Sequence, residues 1–96
     1  MSAIAAMINP IPKTGASRTG TITADFRTLI TILGMPNATA LDDADKVGAS
    51  WGFQHDDGRE GFVWCYSTAP HQCREWSCTG DRSLLDELFG NDYVAH

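Results

Sequence analysis

Residues 46–66 alternate between large apolar side chains and small or polar ones, which is typical of half-buried strands rather than helices. One side of the first strand carries Val47, Ala49, Trp51 and Phe53, and the other carries Gly48, Ser50, Gly52 and Gln54. The dipeptide Asp57-Gly58 between two such runs predicts a β-hairpin with a two-residue turn. That turn places Phe53 opposite Phe62, Trp51 opposite Trp64 and Ala49 opposite Tyr66. A slip of one residue would put aromatic side chains opposite glycine and serine, so the pattern favours this register.

A third strand is predicted at about residues 73–79, after a loop that contains Pro70. If Trp76 faces the same core, it lies beside Trp64, and Phe62 lies beside Cys78. The three tryptophans then form one row across a three-stranded antiparallel meander, and their main contribution is buried apolar area.

Two amphipathic helices flank this meander. Residues 24–33 are predicted to be helical, with Thr23 as the N-cap, an apolar stripe that begins at Phe26, and a stop at Gly34 before Pro36. The second helix begins after Asp81 as its cap and ends at Gly90. Its apolar face consists of Leu84, Leu85, Leu88 and Phe89. The expected fold is α+β and two-layered, in the order helix-strand-strand-strand-helix, with both helices packed on the aromatic face of the sheet.

The ends of the chain are predicted to lie outside this domain. Residues 1–22 contain two prolines followed by a stretch rich in Gly, Ser and Thr, which indicates a flexible N-terminal leader. The domain is expected to span residues 23–90, and residues 91–96 are expected to be a C-terminal tail. No apolar run approaches the length of a membrane span.

Charge is distributed unevenly along the 96 residues, whose formal net charge is −5. Residues 1–24 carry a net charge of +2, whereas residues 25–96 carry −7. An acidic body argues against direct binding to a nucleic-acid backbone, and it suits a basic partner, including a nucleic-acid-binding protein whose groove it blocks.

Candidate residues for chemistry do not match a known site pattern. His71, Cys65, Cys73 and Cys78 offer zinc-ligand atoms, but the spacing is not that of a structural zinc site, and in the predicted register Cys65 and Cys78 lie on opposite faces. Nothing marks an oxyanion site beside a Cys–His pair. We therefore predict no catalytic residue, no metal ligand and no cofactor, and a small metal- or thiol-dependent enzyme stays a second alternative. Three cysteines without a CxxC pair fit a reducing compartment.

Three places are predicted to contact a partner or a second copy of the chain. The first is the nearly bare strand face of Gly48, Ser50 and Gly52, since glycine in a strand often marks close backbone approach. The second is the acidic loop, which lacks the glycine and glutamate of a calcium-binding EF-hand. The third is the hairpin tip. The acidic loop contributes Asp42, Asp43 and Asp45, and the hairpin tip contributes His55, Asp56, Asp57 and Glu60.

Three segments, together with the Asp-Gly turn and an aromatic second strand, resemble a group of small accessory proteins encoded by bacteriophages. The segments are Phe-x-x-Leu-x-x-x-Leu-Gly-x-Pro-Asn (26–37), Lys-Val-x-Ala-x-Trp-Gly-Phe (46–53) and Leu-Leu-x-x-Leu-Phe-Gly (84–90), and the resemblance covers about residues 24–90. It implies a small, non-enzymatic early protein that acts in the host cytoplasm by binding and inhibiting or modulating a host protein. An acidic DNA mimic of the anti-CRISPR type is the alternative function.

Overall fold

The computed structural model describes residues 8–10, 18–35, 49–65 and 70–96. Within them the chain is α+β, as predicted, with two helices and an antiparallel sheet. The strands are β1 (Ile8–Pro10), β2 (Gly20–Thr23), β3 (Ala49–His55), β4 (Glu60–Cys65), β5 (Glu75–Gly80) and β6 (Tyr93–Ala95). The helices are α1 (Phe26–Leu33) and α2 (Arg82–Phe89), and short 3-10 turns lie at Pro70–Gln72 and Gly90–Asp92. The order across the sheet is β1-β3-β4-β5-β2-β6.

The predicted meander is the middle of this larger sheet. β3, β4 and β5 pair in sequence, but β1 adds to the outer edge of β3, and β2 and β6 continue the sheet beyond β5. The predicted order of helix-strand-strand-strand-helix is therefore wrong in detail. The boundary predicted between a leader of residues 1–22 and the domain falls inside β2, and the predicted tail of residues 91–96 contains β6.

The hairpin turn is one residue longer than predicted, and this changes the register of the central pair. The amide of His55 donates to the carbonyl of Arg59 at 2.7 Å, and the amide of Gly58 donates to the carbonyl of His55 at 2.9 Å. Gly58 has a φ of 97°. These bonds describe a three-residue loop, Asp56 to Gly58, that ends on a left-handed glycine rather than a two-residue turn. Trp51 consequently pairs with Val63, and Trp64 pairs with Ser50.

A shift of one residue moves every β4 side chain to the other face of the sheet. Trp51 and Trp76 share the helix-side core, where their ring centroids lie 5.4 Å apart. Trp64 pairs with Ser50 on one side and Ser77 on the other, so the predicted row of three tryptophans is wrong. Cys65 and Cys78, predicted on opposite faces, both belong to the helix-side core.

Both helices contribute to that core. Leu29 of α1 and the four apolar residues predicted for α2 are buried in one cluster with Trp51 and Val63. Phe26 packs on both core tryptophans, with centroid distances of 5.9 Å to each. The indole of Trp76 donates to the carbonyl of Ala24 at 2.9 Å, and that of Trp51 donates to the carbonyl of Gly34 at 2.8 Å. The two indoles therefore hold the backbone at both ends of α1.

The second face of the sheet is also buried. Ser50 is 0% exposed, Trp64 2% and Phe62 8%. A two-layer arrangement leaves one face of the sheet open to solvent, so the described residues do not confirm that part of the prediction. The large β4 side chains fit here because small residues stand opposite them: Ser50 and Ser77 flank Trp64, and Gly52 and Thr79 flank Phe62.

The start of α1 differs from the prediction, whereas its end agrees. Thr23 continues β2 and pairs with Glu75, so Asp25 takes the N-cap position and accepts from the amide of Thr28 at 2.8 Å. Gly34 ends the helix with a φ of 84°, and its amide donates to the carbonyl of Ile30. Because Thr23 belongs to the sheet, the helix begins after Asp25, and aspartate is as good a cap as threonine.

Candidate interaction surface at the hairpin end

The tip of the β3–β4 hairpin is held by an ionic network that reaches helix α2. Asp57 accepts from the amide of Arg59 at 3.1 Å and from its Nε at 2.8 Å. The same guanidinium lies 2.9 Å from Glu87 and donates to the hydroxyl of Ser83 at 3.1 Å. Arg59 is thus fixed between the turn that precedes it and the solvent face of α2.

A second connection joins the hairpin to the start of α2. Asp81 occupies the N-cap position, as predicted, but its carboxylate makes no capping bond to the helix. It accepts instead from the amide of Glu60 at 2.9 Å, and its own amide donates to the Glu60 carbonyl at 2.8 Å. On the opposite side, the amide of the Asn9 side chain donates to Asp56 at 2.9 Å. The hairpin end is therefore anchored to β1 and to the start of α2.

Five carboxylates and one guanidinium make up this surface, which we call the acidic end. Its members are Asp56, Asp57, Glu60, Asp81 and Glu87, together with Arg59. The formal charge of the set is −4, and all five acidic residues are exposed. The amide of Arg59 is the main cause that lowers the pKa of Asp57. Hydrogen bonding to Glu87 is the main cause that raises the pKa of Arg59. Both groups stay charged at neutral pH.

His55 lies beneath the acidic end. Its side chain is buried, with Nδ1 at 3.1 Å from the amide nitrogen of Asp57 and 3.0 Å from that residue's carboxylate. A neutral ring with its proton on Nε2 accepts from the amide, whereas a protonated ring donates to the carboxylate. Nε2 finds no hydrogen-bond partner in the described part of the chain. His55 is thus a packed support for the turn rather than an exposed contact.

The predicted contact residues do not come together as one site. Asp56, Asp57 and Glu60 lie at the acidic end, but Ser50 is fully buried and Gly52 is buried beside it. A partner could reach those two residues only if the chain exposed them. Asp42, Asp43, Asp45 and Gly48 lie outside the described residues.

Sequence reasoning missed three members of the acidic end. Glu87 lies outside the apolar face predicted for the second helix, and Asp81 is predicted only as the cap of that helix. One signal for Asp81 was its position directly after β5. Because β5 pairs with the start of β4, Asp81 lies next to Glu60. The other signal was Arg59, an arginine that follows the two aspartates and the glycine of the turn and precedes Glu60.

The cysteines offer little support for thiol chemistry. Burial raises the pKa of the Cys78 thiol to about 11, so it is protonated at neutral pH and is a poor nucleophile. Cys65 is buried in the same core, and Cys73 is partly exposed. Among the described residues, no group of three or more His, Cys, Asp or Glu side chains is arranged to hold a metal ion.

Comparison with known proteins provides no further assignment. No family model matches the chain, and no curated protein and no solved structure is significantly similar to it. Neither described helix is long and apolar enough to cross a membrane.

Proposed function

We propose that this protein is a small, non-enzymatic, phage-type protein that binds a host cytoplasmic protein and inhibits or modulates it. We propose the acidic end as the contact surface. The observation that carries this is the anchoring of an exposed, strongly negative turn by Arg59 and Asp81. The resemblance of residues 24–90 to phage accessory proteins supports the host-directed part of the proposal.

A preordered charged surface suits recognition of a basic partner. Complementary charge speeds encounter and excludes wrong partners, more than it adds affinity. Fixing the turn before binding lowers the conformational entropy that association removes. The same carboxylates on a mobile loop would lose more freedom on binding. The geometry therefore favours a surface for a basic patch on another protein.

The proposal is tested by comparing two variants of equal charge change in affinity purification from a bacterial host lysate. Asp56→Asn with Glu60→Gln neutralises the acidic end, and Glu75→Gln with Asp92→Asn neutralises two exposed carboxylates elsewhere. We expect the first variant to recover a specific host protein at least about tenfold less well than the natural protein, since one or two charged contacts are worth that much. Equal recovery by both variants, or no specific protein at all, would count against the proposal.

The DNA-mimic alternative is favoured by one observation, the concentration of carboxylates at one end of the molecule. It predicts a captured protein that binds nucleic acid, release by added duplex DNA, and affinity that falls steeply with salt. A captured protein that tolerates salt and ignores DNA supports the broader proposal. The enzyme alternative requires stoichiometric zinc, or loss of an activity when Cys65 or Cys73 is alkylated. The acidic end would repel its own copy, so a homodimer would have to form elsewhere on the chain.

A further inference from the structure

A second surface has the opposite charge to the acidic end. An open groove of about 480 Å³ lies between helix α1 and the 3-10 turn Pro70–Gln72. The described residues that line it are Asp25, Phe26, Arg27, Ile30, Thr31, His71 and Arg74. Two guanidinium groups and an imidazole thus meet around a partly apolar floor, in a chain whose net charge is −5.

The two arginines of this groove make no close ion pair within the described part of the chain. Arg59 is occupied by Asp57 and Glu87, but neither Arg27 nor Arg74 forms an ion pair with a carboxylate of the described residues. Both side chains are exposed. The Arg74 guanidinium lies 3.4 Å from the carbonyl of His71 and 3.3 Å from that of Cys73, which hold it at the groove. Among the described residues that line the groove, Asp25 is the one acid; Thr28 at the helix cap is the main cause that lowers its pKa, and Arg74 and Arg27 lower it further.

The floor of the groove favours an apolar group next to the anion. Phe26 and Ile30 are only partly buried, although both pack against the core. Phe26 is fixed from below because its ring stacks on Trp76 with an interplanar angle of 23°. The amide of Thr28 is already taken by Asp25, so the guanidinium groups, not the helix backbone, would hold the anion. Guanidinium groups pair with carboxylates in a planar, two-bond geometry.

We propose that this groove binds an acidic peptide segment of a partner protein, in which a carboxylate lies next to an aromatic or aliphatic side chain. The carboxylate pairs with Arg27 and Arg74, and the apolar side chain covers Phe26 and Ile30. A nucleic-acid strand fits less well, because its continuous row of phosphates would face a chain with a net charge of −5, whereas a peptide presents only a few carboxylates. This inference is independent of the acidic end, since the two surfaces would contact partner groups of opposite charge.

The test is an NMR titration of the ¹⁵N-labelled full chain with a short peptide, acetyl-Ala-Glu-Phe-Glu-Ala-amide. We expect shifts at the amides of Arg27, Thr31 and His71. Arg27→Gln with Arg74→Gln should weaken binding about tenfold or more, as expected for losing a charge-assisted bond. Arg18→Gln with Arg82→Gln removes the same charge from exposed sites elsewhere and should leave binding within about twofold. The spectrum of each variant shows directly whether it is folded.

Three probes decide between occupants. The peptide with Gln in place of Glu should bind at least about tenfold more weakly, and benzoate and inorganic phosphate should bind more weakly than the acidic peptide. Equal binding of benzoate or phosphate would make the groove a small-anion site and overturn the peptide proposal. Shifts outside the groove, or loss of binding in both double variants alike, would overturn it as well. Groove shifts on replacing Asp42, Asp43 and Asp45 with Asn, without added peptide, would identify this chain's own acidic loop as the occupant.

Discussion

Gly61 shows how the absence of a Cβ atom allows the observed packing. It pairs with Phe53 across β3 and β4, and a Cβ built there would lie 2.5 Å from the Phe53 ring. The aromatic ring therefore lies over the glycine and covers its backbone. This contact exists only in the observed register, because the predicted register places Phe62 opposite Phe53.

Gly61→Ala is expected to lower the free energy of unfolding by about 1–3 kcal/mol, the usual cost of overpacking. The measurement is urea denaturation followed by tryptophan fluorescence. Phe53→Leu should relieve the clash, so that Gly61→Ala costs less in that background, with a coupling energy of at least about 0.5 kcal/mol. Strict additivity of the two substitutions would show that the ring does not lie over Gly61.

The lowered pKa of Asp57 predicts that the free energy of unfolding depends on pH in the acid range. This pKa lies below the ordinary 3.8 in the folded protein, chiefly because the amide of Arg59 donates to the carboxylate. A lowered carboxyl pKa stabilises the fold above the unfolded-state value, and this contribution is lost as pH falls from about 4 through the folded-state pKa. The free energy of unfolding should therefore decrease less in Asp57→Asn than in the natural protein as the pH is lowered from 5 into the acid range. Urea denaturation at several pH values measures this decrease.

The matched control for Asp57 is Asp92→Asn, which removes an exposed carboxylate outside the network. In this variant the free energy of unfolding should decrease with acid pH as it does in the natural protein. If Asp57→Asn showed that same decrease, the Asp57 carboxylate would not be stabilised by the turn.

The burial of Cys78 predicts the order in which the cysteine thiols are alkylated. Because burial raises its pKa to about 11, Cys78 should resist iodoacetamide at pH 8 while the partly exposed Cys73 reacts first. Peptide mass spectrometry after timed alkylation measures this order. Reaction of Cys78 as fast as Cys73 in the folded chain would contradict the assigned core.

At the scale of elements, helix α1 depends on two tryptophans for its position. Its eight residues are too few to be stable alone. The indoles of Trp76 and Trp51 bond the carbonyls of Ala24 and Gly34, one at each end. Tertiary contacts rather than helix propensity therefore hold α1 in place, and with it one wall of the groove that Arg27 and Arg74 line.

Trp76→Phe keeps most of the apolar area but leaves the Ala24 carbonyl without its donor, at a cost of about 1–3 kcal/mol. We expect amide hydrogen exchange to speed up in α1 more than in β3 and β4. Val63→Ala is the control, because it removes buried volume from the same core without a bond to α1. Equal loss of protection in all elements for both variants would contradict the anchoring of α1.

The sequence predicted the elements with strong local signals. Both helices ended at the expected glycines, and the strands around Trp51, Trp64 and Trp76 were found because their patterns are local. The register was missed because Asp57-Gly58 fits two turns: a two-residue loop, or a three-residue loop in which Gly58 takes the left-handed position. The predicted register also avoids aromatic side chains opposite glycine and serine, since it rests on the assumption that only one face of the sheet is buried. The face that carries Trp64 and Phe62 is buried as well.

At the scale of the whole molecule, the missed strands are those that only distant partners create. β1 and β6 have three residues each, and β2 pairs with β5 across more than fifty positions. No local period distinguishes such strands from a leader or a tail. The partner surfaces were predicted only in part for the same reason. The acidic residues of the turn are recognisable in the sequence, whereas the positions of Asp81, of Glu87 and of the groove depend on contacts between distant parts of the chain.

The length of the hairpin turn decides which side chains each face presents across the whole sheet. A three-residue loop buries Trp64 and Phe62 with Ser50 and Gly52, and it leaves the acidic end and the groove as the charged surfaces proposed for partners. A two-residue loop would place all three tryptophans in one core and leave Ser50 and Gly52 on a bare face. The register is therefore the central claim of the structure.

Nuclear Overhauser contacts in the ¹³C,¹⁵N-labelled protein test it most directly. We predict backbone cross-strand contacts between Trp51 and Val63 and between Ser50 and Trp64, with no contact between the rings of Trp51 and Trp64. Backbone contacts between Trp51 and Trp64, together with ring contacts joining Trp64 to Trp76, would contradict the register and the surfaces derived from it.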